Sequence, residues 1–321
     1  MIKYDTTKNK SIIMQKNIRD WRELTMDISI IGVPIFYGAD KSGTELAPNK
    51  LREKNIANIL SKNNHSVYDF GNLHVPEVKE DEKFSFHSNM KYLKPIVEVN
   101  TNLAHLVYSS IKAGSFPLVV GGDHSVGIGS IAGASRAHKN FAVIWMDAHA
   151  DINTHDTSES ANVHGMPLAK AMGIGYEDLI NIYFEGKKVP TENVYIIGAR
   201  ALDEGEVRLI KEKDLNVLSV ENIRKKGIDK VTDEIIKELQ EKNIDAIHLS
   251  FDLDVLDTKY VPGTGTPVDG GLDVEEAKLF IKSIMKTKLL KSMDFVELNV
   301  LLDKDDATAD LSVDLLDFIF S

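Results

Sequence analysis

The chain has 321 residues, 43% hydrophobic and 27% charged, the balance of a globular protein with apolar side chains enough for a sizeable core. A formal charge of −11 argues against nucleic acid or an anionic membrane as partner. The absence of cysteine removes disulfides and any thiolate metal site, and it fits a reducing cytoplasm. Residues 1–26 carry charge and only one short apolar patch, Ile12–Met14. They read as an N-terminal extension, flexible or a short helix, and as neither a signal peptide nor a membrane span. No Pro/Gly/Ser-rich linker divides the rest, so 27–321 is expected to form a single catalytic domain.

Short β-rich runs at 28–33, 66–70, 117–121, 141–147, 194–198, 215–219, 245–252 and 293–298 alternate with longer helical patterns. Pro48 opens a helix expected to run to about residue 61, and a helix over 96–113 ends before Gly114 as its cap. Further helices are expected over 229–242, 273–286 and 307–320, the last with Leu311, Leu315, Leu316 and Ile319 on one core-facing side. This alternation predicts an α/β fold: three α/β/α layers around a central eight-stranded, mostly parallel sheet. The acidic run 79–83 reads as a solvated loop, 152–168 as a polar loop, and 261–271, rich in Gly and Pro, as a shaped loop.

Chemistry concentrates where three strands end. Asp147, His149 and Asp151 stand at i, i+2 and i+4, which in an extended strand places them on one face. Asp252 and Asp254 close a later apolar run at i, i+2, and His124 follows a third. Open α/β sheets place their sites at such carboxyl ends. Read singly, Asp123 or Asp252 is a turn former or helix cap and His124 a structural histidine. Together, four Asp and two His suit two cations, because carboxylates crowded at the end of a buried strand repel one another without one. With a bridging hydroxide the cluster would carry about one negative charge, which favours a cationic substrate. Oxygen-rich ligands with some imidazole point to Mn²⁺ or Fe²⁺ before Cu²⁺.

The motifs Gly121-Gly-Asp-His-Ser125, Asp147-Ala-His-Ala-Asp151, Ser250-Phe-Asp-Leu-Asp254 and Gly263-Thr-Gly-Thr-Pro267 resemble, over about residues 27–320, those of the ureohydrolase family of dinuclear manganese amidinohydrolases. Asp151-Ile-Asn-Thr154 and the loop to His164-Gly-Met-Pro167 resemble its arginase branch in particular, whose reaction converts L-arginine to L-ornithine and urea. The resemblance implies two Mn²⁺ per chain, one on His124, Asp147, Asp151 and Asp252, the other on Asp147, His149, Asp252 and Asp254, with Asp147 and Asp252 bridging. It implies substrate contacts from Asn153, Ser158, Ser160, Asn162, Asp203, Glu206 and Thr266, and a guanidinium partner in Glu297. Read without the resemblance, Glu297 is equally an exposed glutamate at a strand end.

Attack would come from the hydroxide shared by the metals, held by Asp151, which also passes a proton to the leaving amine; His164 would shuttle protons to solvent. Ala161 stands where the family usually has Gly, Ala201 where many members have Asp, and Val300 where Pro is usual. Agmatinase and formimidoylglutamase activities share the scaffold, and an inactive metal-binding protein is the alternative from another class. The family assembles as trimers or hexamers, which makes a homo-oligomer the expectation.

Overall fold

The computed structural model describes residues 25–321. The expected extension 1–26 therefore lies, but for its last two residues, outside the described residues.

Eight strands form: β1 (Asp27–Val33), β2 (Ser66–Asn72), β3 (Phe116–Gly121), β4 (Phe141–Met146), β5 (Val194–Ile197), β6 (Asn216–Leu218), β7 (Ala246–Asp252) and β8 (Leu290–Val296). Between and after them run α1 (Ala47–Glu53), α2 (Ile56–Ser61), α3 (Leu93–Lys112), α4 (Gly127–Ala137), α5 (Pro167–Ala171), α6 (Glu177–Ile180), α7 (Glu204–Lys213), α8 (Val220–Lys226), α9 (Ile228–Glu241), α10 (Val274–Lys286) and α11 (Ala307–Ile319). The strands join one sheet in the order β2-β1-β3-β8-β7-β4-β5-β6. Every pairing between named strands is parallel, so the expected "mostly parallel" sheet is parallel throughout.

Alternation along each strand feeds two cores. On β4, Ala142, Ile144 and Met146 join the core shared with α1, α2 and α8–α11, while Phe141, Val143 and Trp145 join the one shared with α3–α6. A strand covered on both faces has no polar side to show, which explains the continuous apolar runs. The helices present apolar stripes to match, such as Ala277, Phe280, Ile281 and Ile284 on α10, all buried. Capping boxes start α7 (Asp203 with Glu206) and α10 (Asp273 with Glu276).

Several local bounds differ from expectation: the last strand is Leu290–Val296 and not 293–298, and a 3₁₀ turn, Glu80–Glu82, lies in the acidic run. The helix expected from Pro48 to about 61 is two helices, because Asn55 takes a left-handed φ of 64° that no helix interior accepts. β4 stops at Met146, one residue before the expected end: the Asp147 N–H still makes the ladder bond to Ile197 O at 3.0 Å, but the Asp147 carboxylate accepts the N–H of His149 and turns the chain.

The topology prepares a crevice. From β3 the chain skips two places in the sheet to lay down β4, and those places are filled last, by β7 and β8. The carboxyl ends of β3, β8, β7 and β4 thus lie side by side in mid-sheet, where the winding reverses.

Candidate metal centre and substrate pocket

Each ligand candidate leaves one of those four ends. His124 sits in the single 3₁₀ turn after β3, with Asp123 as its cap: one Asp123 oxygen accepts the Ser125 N–H at 2.9 Å and the other the Gly38 N–H at 2.8 Å. Asp123 is thus the turn former that its sequence context suggests. Asp147, His149 and Asp151 converge through a bent segment and not along one strand face, and Asp151 has a left-handed φ of 51°. Asp252 closes β7 and accepts the N–H of Asp254 at 2.8 Å, which turns Asp254 back towards the cluster.

The Nδ1 atom of His124 lies 3.0 Å from Asp147 Oδ2, 3.1 Å from Asp151 Oδ2 and 3.2 Å from Asp252 Oδ2. It is buried, and no hydrogen bond is aligned on it. The Nδ1 atom of His149 lies 3.1 Å from Asp254 Oδ2 and 3.3 Å from Asp147 Oδ1. Two groups of potential ligand atoms result, His124/Asp147/Asp252 and Asp147/His149/Asp254, each within 4.8 Å. Asp147 belongs to both; Asp252 stands with the first only, and Asp151 beside them through His124.

Electrostatics show what the cluster lacks. Burial, with the neighbouring charge of Asp147, raises the Asp151 carboxyl to about 6 and pushes Asp254 upward. Burial and the charges of Asp254 and Asp147 carry Asp252 well above the carboxylate range. Burial opposes a charge on either imidazole, yet the surrounding carboxylates hold His124 and His149 well above the ordinary histidine value. A lone pair without a partner among buried carboxylates, with four Asp and two His as donors, fits divalent cations.

The second nitrogen of His124 is also fixed. Nε2 lies 2.8 Å from Ser250 Oγ, which is 3.3 Å from Asp294 Oδ2. The same Asp294 oxygen takes Ser130 Oγ at 2.5 Å and His248 Nε2 at 3.0 Å. With Nε2 donating to Ser250, the Nδ1 lone pair is left facing the cluster. Trp145 stacks on the ring at 3.9 Å and donates its indole N–H to Asp147 at 3.0 Å.

Glu297 follows β8 and is buried, not exposed, at 1%. Its left-handed φ of 66° is a strained backbone for a non-glycine residue, held by its N–H donating to Gly122 O at 3.0 Å. Oε1 accepts the His124 backbone N–H at 2.8 Å and lies 3.2 Å from His164 Nδ1, while Oε2 is buried without a partner. A Cβ at Gly265 would sit 2.6 Å from Oε2, so only glycine admits that approach. Burial pulls the His164 imidazole down, but the hydrogen bond and charge of Glu297 outweigh it and hold it at about 9.

A cavity opens over the cluster, lined by His149, Asp151, Asp252 and His164 together with Asn153, Ser158, Ser160, Asn162, Asp203, Glu206 and Thr266. All seven residues expected to contact substrate are therefore in one place. Asp203 Oδ2 accepts from Asn153 Nδ2 at 2.7 Å, and Thr157 donates to Asn153 Oδ1 at 2.8 Å. Thr266 donates to Asp254 Oδ2 at 3.1 Å. Asn162 is spoken for on both sides, by Lys91 Nζ at 2.9 Å and Ala39 O at 2.9 Å. Both Glu206 oxygens accept backbone N–H groups, those of Ile152 and Asp203, and burial raises this carboxyl to about 7. Ala161, at the usual glycine position, has φ 59°, which explains why glycine suits it and costs an L-residue roughly 1 kcal/mol.

Sequence reasoning missed Thr157, Lys91 and the Ser250–Asp294–His248 network. The last left a trace: polar residues at i, i+2 inside apolar strands, His248 and Ser250 on β7 opposite Ser292 and Asp294 on β8.

Fold and site together define a class, a three-layer α/β/α protein with a candidate centre for cations at the carboxyl edge of its sheet. The sequence pattern of the arginase family matches residues 26–320, and the chain belongs to that family. It is 42% identical over 297 residues to an arginase of Brevibacillus brevis, covering 92% of this chain and 98% of that one. The crystal structure of arginase from Bacillus subtilis superposes with a TM-score of 0.87 at 39% identity, covering 92% of this chain and 98% of the other. That of Bacillus caldovelox arginase gives 0.87 at 37%, covering 92% and 99%. The chain is an arginase-type hydrolase, and no helix among the described residues is long and apolar enough to cross a membrane.

Proposed function

We propose that this hydrolase adds water to the guanidinium carbon of L-arginine and releases L-ornithine and urea, with two Mn²⁺ held by His124, Asp147, Asp151, Asp252, His149 and Asp254. The observation that carries the reading is the buried His124 Nδ1, facing three carboxylate oxygens without an aligned hydrogen bond, beside a second cluster that shares Asp147. When bound, two such cations supply Lewis acidity and lower the pKa of a water between them.

The chain's own groups do the rest. The free Oε2 of Glu297 accepts N–H donors of the guanidinium and fixes the plane of a carbon made poorly electrophilic by charge delocalised over three nitrogens. Asp151 orients the attacking water and passes its proton to the departing amine. His164, on the cavity wall and protonated up to about pH 9, exchanges protons between the site and solvent. Asp203 meets the α-ammonium, and the 153–162 loop meets the α-carboxylate through amide and hydroxyl groups. Glu206, engaged on both oxygens, acts by holding Asp203 and Ile152 in place.

Residues 27–321 are proposed to act as one catalytic domain, in a homo-oligomer of three or six chains, in a reducing cytoplasm that suits a chain without cysteine. The test is urea release by the Mn²⁺-loaded protein from arginine, agmatine, guanidinobutyrate and formimidoylglutamate, separately. Strong preference for arginine supports the reading, and activity on another of the four with none on arginine rejects it.

A further inference from the structure

The Arg200 guanidinium, half-buried behind the carboxyl edge of the sheet, has no carboxylate partner among the described residues. All its hydrogen bonds go to carbonyl oxygens. Nε donates to Asp269 O at 3.1 Å; Nη1 to Gly198 O at 3.2 Å and Val255 O at 3.4 Å; Nη2 to Asp254 O at 2.6 Å, Val268 O at 2.7 Å and Leu256 O at 3.3 Å. One side chain thus ties both ends of the 254–269 excursion to the end of β5. Its backbone closes the circuit: the N–H groups of Arg200 and Ala201 donate to Ala148 O at 2.8 and 3.0 Å, and the Ala148 N–H donates to Asp254 Oδ1 at 3.0 Å.

We infer that Arg200 is a positioning residue for the His149/Asp147/Asp254 cation site, acting through the backbone of Asp254 and through the loop that carries Thr266. Asp254 is delivered by a 3₁₀ turn and not by a strand, so the sheet ladder alone does not hold its main chain. The loop beyond it contributes only isolated bridges, Leu256 with Leu272 and Thr264 with Leu298. A planar fork with five N–H donors spans carbonyls that face different ways, and a lysine ammonium cannot cover the same set. The unpaired positive charge also lies close to Asp254, Asp147, Asp257 and Asp252, whose attraction opposes the desolvation of the guanidinium. None of these bonds reaches His124, Asp151 or Asp252.

The inference rests on the dinuclear reading, and its test separates the two. Mn²⁺ is titrated into the full chain and into Arg200→Lys, with metal counted after gel filtration, and backbone amide exchange is followed in both metal-free chains. Wild type is expected to bind two ions. Arg200→Lys should keep one at wild-type affinity and bind the other roughly 10–100-fold more weakly, the usual scale for losing an outer support of a metal ligand. The amides of Leu256, Asp257, Gly270 and Leu272 should exchange faster, and those of β1 and β3 should not. Two ions held by Arg200→Lys at wild-type affinity overturn the inference alone, as does equal weakening of both. A variant that fails to fold overturns it too, since Arg200 would then support the whole sheet. A wild-type chain that takes up no divalent metal overturns both readings.

Discussion

Replacing Glu297 by glutamine removes one charge and almost no volume. Oε1 can keep its contacts to the His124 N–H at 2.8 Å and to His164 at 3.2 Å, so the amide nitrogen falls at the position of Oε2, the buried oxygen without a protein partner. That position then offers a donor to the donors of a guanidinium. Losing a hydrogen bond to a charged group costs about 1.5–3 kcal/mol, which is roughly 10- to 150-fold in kcat/KM at about 1.4 kcal/mol per decade. A second effect travels through His164, whose value of about 9 depends on the Glu297 charge. Without it, only the charges of Asp151 and Asp123 are left to oppose burial and the imidazole titrates lower, so the alkaline limb of the rate profile should move down in pH. The assay is urea release across pH with metal content measured on the same samples. Loss of activity with both ions in place and a shifted limb supports the account. Activity within a few-fold of wild type, or a loss explained by missing metal, refutes it.

Asp147→Ala should disrupt both cation sites and His124→Ala chiefly one, as counted by bound Mn²⁺ per chain; one tightly held ion in Asp147→Ala would contradict the shared role of that carboxylate. Asp203→Ala should raise the KM for arginine with metal content unchanged, and wild type should favour arginine over agmatine by as much as roughly 10⁴-fold, since agmatine leaves the carboxylate-binding groups unpaired; equal kcat/KM for the two would sink that assignment. The folded His164 value lies above the ordinary histidine value of about 6.5, so its stabilisation is fully present below that pH and is lost as pH rises through about 9. The melting-temperature gap between wild type and His164→Ala should therefore narrow from about pH 6 to about pH 10, from a contribution of at most about 3 kcal/mol; a gap independent of pH would exclude the ion pair with Glu297.

The central strands were legible because each is buried on both faces and so appears as a nearly uninterrupted apolar run, as in Phe141–Met146, whereas the edge strands β2 and β6 are largely exposed or half-buried and showed only through β-prone residues. The candidate ligands were legible as a set, because carboxylates gathered at several buried strand ends repel one another without a cation. Local backbone was not. Asn55 breaks a helix by one left-handed residue, and Asp147 leaves its strand through a side-chain hydrogen bond to the His149 N–H that no periodicity encodes. The burial of Glu297 and the reach of Arg200 depend on which strand ends lie together, and strand order is a property of the whole chain. Glu206 shows the limit of reading a role from a motif: it lines the cavity, yet both oxygens face its own loop.

The order in which the sheet is filled also sets when the proposed cation sites can form during synthesis. The slots beside β3 and β4 stay open until β7 and β8, more than a hundred residues further along, slide between them. His124, Asp147, His149 and Asp151 leave the ribosome early, but Asp252, Asp254 and Glu297 arrive with the last two strands, so a nascent chain offers an incomplete ligand set. Insertion of central strands late in the sequence is a non-local step and a slow one. On the proposed reading, cation capture coincides with closure of the core, and its binding energy falls on the finished protein and not on any intermediate. Partly folded chains would thereby be kept from hydrolysing substrate, and a bound metal would mark a chain whose sheet is complete.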